Sequence, residues 1–167
     1  MGYHEHRHLA PRNINCAVVT ISDSRTEAED ESGKLVRQRL SDNGHRVVAY
    51  SLLKNEPEAI RSKVMELVGQ EDVQVIITSG GTGVSQRDVT VDTVEPMLEK
   101  KLDGFGELFR SLSYQEIGTG SIMSRATAGV IGGKVILCFP GSLGAATLVM
   151  DKVILPELGH LVREATR

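Results

Sequence analysis

Short apolar runs alternate along this chain with segments whose apolar residues recur every three or four positions. The runs at residues 16–21, 47–53 and 73–78 have the length and β-branched content of buried strands. Residues 32–43 and the segment that follows Asn55 have the spacing of helices with one apolar face. Strands that alternate with helices in units of this size predict an α/β fold with a parallel sheet.

Several helix ends carry recognisable signals. Gly44 follows the first helical segment at the position where a glycine commonly ends a helix. Asn55 is predicted to cap the next helix, with Pro57 in its first turn and Glu58 at the third position. A further helix is predicted over residues 88–98.

The second half of the chain predicts a departure from a purely parallel sheet. A helix over residues 104–114 precedes two apolar runs at 125–130 and 134–139, which flank Gly132-Gly133. Two strands joined by such a pair of residues form a β-hairpin, so we predict a mixed sheet with one antiparallel strand. A last helix is expected over residues 143–154.

Length and composition favour one domain over residues 13–167, preceded by a flexible tail over residues 1–12. The tail carries three histidines in alternate positions, His4, His6 and His8. They have the spacing of metal ligands, but a solvated, frayed tail is the preferred interpretation. No tightly bound metal is therefore predicted.

Charge and hydropathy exclude several classes of protein. The net charge of −3 is spread evenly and aromatic residues are scarce, so no nucleic-acid partner is expected. No apolar stretch approaches the length of a membrane span, and the N-terminus lacks the apolar segment of a signal peptide. Cys16 and Cys138 lie in strand-like runs and indicate no disulfide. We expect a cytoplasmic protein with no membrane partner.

The strongest chemical signal is the glycine-rich turn after the third apolar run. Ser79 is followed by Gly80, Gly81, Thr82 and Gly83. Glycines permit a positive φ and a close approach by a ligand, and consecutive backbone N–H groups in such a turn can hold a phosphate. A tight turn without a ligand is the alternative.

Asp88 lies five residues beyond these glycines and is the candidate metal ligand. Mg²⁺ takes oxygen ligands, often one or two carboxylates together with substrate phosphates. Asp88 also has the position of a helix cap, so both interpretations stay open.

Four candidate groups are predicted to converge at the carboxyl ends of the strands, where α/β proteins bind ligands. They are Asp23, Asn55, the glycine-rich turn with Asp88, and Pro140-Gly141-Ser142. The P-loop and dinucleotide fingerprints are absent, and no nucleophile–base pair is evident. What remains is a phosphate cradle with nearby carboxylates, which suits phosphoryl or nucleotidyl transfer.

These motifs resemble the MoaB/Mog family of molybdenum cofactor biosynthesis proteins, and the protein B branch in particular. The matching segments follow one another in the family's order over nearly the whole chain. They are residues 22–25, 30–33, 78–83, 87–90, 104–107, 124–125 and 140–142.

The resemblance implies a three-layer α/β/α sandwich and a homo-oligomer, a hexamer more than a trimer. It implies binding of molybdopterin and transfer of an adenylyl group to its terminal phosphate from Mg²⁺-ATP, with release of pyrophosphate. Carried over by position, Asp88 and Asn55 are catalytic. The residues implied to bind substrate are Asp23, Ser79, Gly80, Gly81, Thr82, Gly83, Glu107, Pro140, Gly141 and Ser142.

Two positions depart from the family's pattern. Competent relatives usually carry Asp where this chain has Asn55, and several carry Lys where it has Leu143-Gly144. An amide supplies no charge to a cation. The alternative function is therefore a catalytically weak or silent molybdopterin-binding protein.

Overall fold

The chain is described by a computed structural model that covers residues 2–167, apart from the side chain of His6. Within that range six strands form one sheet. They are β1 (Asn15–Ile21), β2 (Arg46–Leu53), β3 (Val75–Ser79), β4 (Lys100–Lys101), β5 (Thr127–Ile131) and β6 (Lys134–Phe139).

Seven α-helices surround the sheet in the described residues. They are α1 (Tyr3–His8), α2 (Glu31–Asp42), α3 (Pro57–Val68), α4 (Thr90–Val94), α5 (Asp103–Ile117), α6 (Leu143–Val149) and α7 (Leu155–Ala165). Short 3₁₀ segments lie at Glu27–Glu29, Glu95–Met97 and Gly118–Met123, and a π-helical turn at Met150–Ile154 joins α6 to α7.

The strand order is β2-β1-β3-β6-β5-β4. Neighbours from β2 to β6 run parallel, whereas β5 is antiparallel to both β6 and β4. The predicted mixed sheet is thus confirmed. The turn at Gly132-Gly133 has φ values of 55° and 75°, as a two-residue hairpin turn requires.

Two apolar clusters, one on each face of the sheet, confirm the three-layer arrangement. One cluster joins Val18 and Ile77 to α2, α5, α6 and α7, and the other joins Val19 and Ile76 to α3 and α4. Alternate residues of β1 and β3 therefore face opposite layers, as the pleat of a strand dictates. The sheet holds the carboxyl ends of β1, β3 and β6 side by side.

Helix boundaries correct three expectations. Glu56, and not Asn55, precedes the first residue of α3. The helix expected over residues 88–98 is the short α4 followed by a 3₁₀ turn that contains Pro96, and Val89 occupies the cap position. The helix expected to end near residue 154 continues to Ala165, because the chain passes Pro156 by widening into a π-helical turn.

The N-terminal segment contains a helix where a frayed tail is expected. The Tyr3 hydroxyl donates to Glu157 at 2.5 Å, and Arg7 donates to the carbonyl of Pro156 at 3.0 Å. These contacts dock α1 on α7. The flexibility of the segment stays a prediction. In the part of the chain that the structure describes, no helix is long and apolar enough to cross a membrane.

Candidate functional site

The glycine-rich turn leaves β3 in a conformation that only glycine adopts without strain. Gly80 and Gly81 have φ values of 103° and 68°. The N–H of Gly80 donates to the carbonyl of Phe139 at 2.9 Å, and its carbonyl accepts from the Thr90 hydroxyl at 2.8 Å. A Cβ at Gly80 would collide with the carbonyl oxygen of Ile21. The turn is thereby packed between the ends of β1 and β6.

Asp88 folds back over the same turn. Its Oδ2 accepts from the N–H of Ser85 at 3.1 Å and from the Ser85 hydroxyl at 2.7 Å. A Cβ on Gly83 would lie 2.6 Å from that oxygen, so glycine is needed there for the carboxylate to approach. Asp88 makes no cap to α4, and the capping interpretation is wrong. In the described residues the hydrogen bonds of Asp88 use Oδ2, which leaves Oδ1 to face a ligand.

Three buried polar side chains around the turn have an atom without a hydrogen-bond partner. The atoms are Ser79 Oγ, Thr82 Oγ1 and Asn55 Oδ1. The three residues are 1%, 2% and 8% exposed. A buried polar atom without a partner costs about 1–3 kcal/mol, so such atoms are uncommon unless a ligand or water satisfies them.

The loop Pro140-Gly141-Ser142 follows β6 and lies against Gly80, since a Cβ on Gly141 would be 3.0 Å from the α-carbon of Gly80. Two residues from distant parts of the chain hold its backbone. Arg25 Nη1 donates to the carbonyl of Gly141 at 2.9 Å, and the Ser32 hydroxyl donates to the same oxygen at 2.7 Å. The Ser142 hydroxyl accepts from the N–H of Ala145 and begins α6.

A buried carboxylate fixes the start of α2, which carries Ser32. Asp30 is fully buried and accepts from the Gly33 N–H at 2.9 Å and from the Tyr50 hydroxyl at 2.5 Å. Burial alone would raise the pKa of Asp30, but the surrounding hydrogen bonds outweigh it and lower the pKa. Burial, followed by the bond to Asp30, raises the pKa of Tyr50 to about 12. Asp30 is therefore ionised and Tyr50 protonated at neutral pH, so the hydrogen bond between them is kept.

Asp23 lies at the rim of the site and is tied to two other loops. It accepts from Arg87 at 3.0 Å and from the N–H of Asn55 at 2.9 Å. These bonds, led by the one from Arg87, lower the pKa of Asp23 to about 2. Arg87 also reaches Glu56 at 3.2 Å. One guanidinium thus pins the loops that follow β1, β2 and β3.

The structure brings most of the predicted site residues together at the carboxyl ends of the strands. Contacts link the glycine turn to Asp88, Asn55 and Gly141, and link Asn55 to Asp23. Glu107 is exposed on α5, and within the described residues no hydrogen bond or ion pair joins it to the turn. Its substrate-binding role stays a prediction.

Sequence reasoning missed the residues that support the site from a distance. Arg25, Ser32, Arg87 and Thr90 lie inside segments that match the family motifs, but their partners are 10 to 116 residues away. Arg125, in the matching segment 124–125, is a further support, since it donates to the carbonyl of Gly83 at 3.4 Å and pairs with Asp92.

A family described as a probable molybdopterin binding domain matches residues 17–160. The chain belongs to this family. The matched range includes all three layers of the sandwich and every residue of the candidate site. It ends inside α7.

Individual members of the molybdopterin-binding family are similar over nearly their whole length. Molybdenum cofactor biosynthesis protein B of Bacillus cereus is 47% identical over 168 residues, which cover 100% of this chain and 99% of the relative. A crystal structure of a molybdenum cofactor biosynthesis protein B is 48% identical, with a TM-score of 0.90 over 93% of this chain and 98% of the other.

A more distant structure has the same fold. The tungsten cofactor synthesizing protein MoaB from Pyrococcus furiosus is 31% identical, with a TM-score of 0.83 over 95% of this chain and 100% of the other. The two chains therefore share one fold at that level of sequence identity.

Proposed function

We propose that this protein acts in molybdenum or tungsten cofactor biosynthesis, where it binds molybdopterin and adenylylates its terminal phosphate from Mg²⁺-ATP. The observation that carries the proposal is the set of buried, unpartnered polar atoms on Ser79, Thr82 and Asn55 around a glycine turn. Membership of the molybdopterin-binding family and the names of the relatives support the same substrate.

The residues around the glycine turn suit one hydrated Mg²⁺ that is held jointly with the substrate. Asp88 offers Oδ1, while Oδ2 is fixed by Ser85. Mg²⁺ commonly takes one or two carboxylates and completes its shell with water and phosphate oxygens. Among the described residues no group of three or more His, Cys, Asp or Glu side chains could hold a metal alone. The cation, when bound, would neutralise phosphate charge.

The reaction needs no protein nucleophile. An oxygen of the pterin's terminal phosphate attacks the α-phosphorus of ATP, a new P–O bond forms, and the bond to the β-phosphate oxygen breaks. Pyrophosphate leaves with the electron pair of that bond. The protein's task is to hold the two phosphates in line and to stabilise their charge. The backbone N–H groups of residues 81–83 would supply the cradle, since that of Gly80 is bonded to Phe139.

The second candidate is a binding protein with little or no turnover. Asn55 places an uncharged amide where the family resemblance implies a carboxylate in most competent members. Asp23 and Glu56, the nearby carboxylates, are both paired with Arg87. On this account Asp88 alone would serve the cation, and the same site would store or deliver molybdopterin.

Incubation of the purified protein with molybdopterin and Mg²⁺-ATP separates the two candidates. We expect adenylylated molybdopterin and pyrophosphate in equal amounts, and loss of both products in Asp88→Asn with molybdopterin binding retained. Tight binding of the pterin without product in the wild type would favour the second candidate. Unchanged turnover in Asp88→Asn would remove Asp88 from the catalytic site.

We further propose a cytoplasmic homo-oligomer, with a hexamer favoured over a trimer. Large apolar side chains are exposed on and after α5, which supports an interface there. They are Leu108, Tyr114, Ile117, Ile122 and Met123. Light scattering of the purified protein should give a mass of six chains. A monomer at micromolar concentration would contradict the proposal.

A further inference from the structure

The outer edge of the sheet is formed by β2. One side of β2 pairs with β1, and no described strand pairs with the other. Residues 47–53 of this strand carry no charge, and all of them are half-buried. Unpaired edges that must stay single are commonly guarded by charged residues or proline, because their free N–H and C=O groups are templates for another strand. Residues 47–53 of this edge have neither guard, and the charge of β2 is confined to Arg46 at its first position.

A cationic cleft lies beside this edge. It has a volume of about 950 Å³ and lies between α2 and the first residues of β1 and β2. Lys34, Arg37 and Arg46 line it, and no Asp or Glu of the described residues does so. The protein carries a net charge of −3, so the cleft is a local reversal of its overall sign.

One cation of the cleft is held in place beside the strand. The guanidinium of Arg37 lies over the ring of Tyr50, 3.9 Å from its centroid, and Arg37 Nε donates to the carbonyl of Gly33 at 3.1 Å. Tyr50 belongs to β2. A fixed positive charge therefore stands next to the free edge.

We propose that this edge binds an extended, acidic segment of another protein, which adds as a strand beside β2. Backbone hydrogen bonds to β2 would supply affinity, and carboxylates over Lys34, Arg37 and Arg46 would supply selectivity. The proposal is independent of the chemistry at the glycine turn, since it uses none of those residues.

A second copy of this chain fits the edge less well. Two-fold pairing of β2 with itself would bring both sets of cations to one seam, with no carboxylate of the cleft between them. Like charges brought together in this way oppose association. The partner is therefore expected to be a different chain that carries acidic residues.

The test uses a fluorescent, end-blocked peptide of the same length as β2 with alternating Glu and Val. One control peptide replaces each Glu with Lys. A second keeps the charges but replaces the central Val residues with Pro, which cannot complete a strand ladder. Binding to the full-length protein is followed by fluorescence anisotropy at low salt, and hydrogen exchange of residues 46–53 is compared with and without peptide.

We expect the acidic peptide to bind, the two control peptides to bind at least about tenfold more weakly, and the amides of β2 to gain protection. Arg46→Glu should lower the affinity for the acidic peptide by about tenfold, because an attractive charge becomes repulsive. Lys100→Glu, the same charge change on the opposite edge strand, should leave binding unchanged.

Three results would each overturn the proposal. The first is no binding of the acidic peptide, or equal binding of the proline peptide. The second is an equal loss in Arg46→Glu and Lys100→Glu, which indicates general charge attraction. The third is protection of β2 in the free protein together with a lower mass of Arg46→Glu by light scattering, which assigns the edge to a second copy.

Discussion

The α-carbon of Gly80 packs against the carbonyl oxygen of Ile21, where the ends of β3 and β1 meet. The contact leaves no room for a side chain, and the φ of 103° at Gly80 adds backbone strain for any other residue.

Gly80→Ala should therefore lower the free energy of unfolding by at least about 2 kcal/mol, measured by urea denaturation. Gly144→Ala is the matched control, because a Cβ there meets nothing within 4 Å. It should be neutral or stabilising by up to about 1 kcal/mol, as expected for alanine in a helix. Equal losses in both variants would refute this account of the turn.

Thr82 and Thr90 provide a pair with opposite expected effects. The Thr82 hydroxyl is buried without a partner, whereas the Thr90 hydroxyl donates to the carbonyl of Gly80. Thr82→Val should stabilise the ligand-free protein by about 1 kcal/mol and weaken molybdopterin binding. Thr90→Val should destabilise it by about 1 kcal/mol, since a buried acceptor loses its donor. Thermal unfolding measures the stability of each variant, and a titration measures molybdopterin binding. If Thr82→Val destabilised the protein, the Thr82 hydroxyl would have a partner within the protein and would not be reserved for a ligand.

The Asp23–Arg87 pair predicts a pH dependence of stability. Because Arg87 lowers the pKa of Asp23 to about 2, ionised Asp23 favours the folded state. This contribution is complete above the unfolded-state pKa of about 4 and is lost as the pH falls through 2. The difference in unfolding free energy between wild type and Asp23→Asn should be constant from pH 7 to about 5 and shrink below about 4. If that difference did not change down to pH 2, the ionised Asp23–Arg87 pair would not be what stabilises the folded state.

Asn55→Asp tests what the site lacks. The new carboxylate would be nearly buried beside Gly81, so the variant should be less stable than wild type in EDTA. If charge is what limits catalysis, the rate of Mg²⁺-dependent adenylylation should rise. An unchanged rate would indicate that a neighbouring carboxylate such as Glu56 serves instead.

The sheet and the place of the site were predictable because both follow from local pattern. Apolar runs located β1, β3 and β6, Gly132-Gly133 located the hairpin, and the glycines after β3 indicated the candidate site. The two-residue β4 carries no such pattern, since Lys100 and Lys101 are exposed and become a strand only by pairing with β5.

Tertiary contacts decided what the sequence left open. Asn and Asp both commonly cap helices. In the structure, however, the Asn55 side chain lies against Gly81, and Asp88 accepts a hydrogen bond from Ser85. The supports of Gly141 come from Arg25 and Ser32, more than 100 residues away in the chain. Propensity carries no information about such pairings, which arise only when the sheet brings its loops together.

The most direct test of the central claim is an equilibrium titration of the purified protein with molybdopterin, followed through the pterin's fluorescence. The account predicts saturable binding to wild type and a large loss of affinity in Thr82→Val, which changes one hydroxyl at the glycine turn. Absence of binding to the wild type, or equal affinity in Thr82→Val, would contradict a molybdopterin site at the glycine turn.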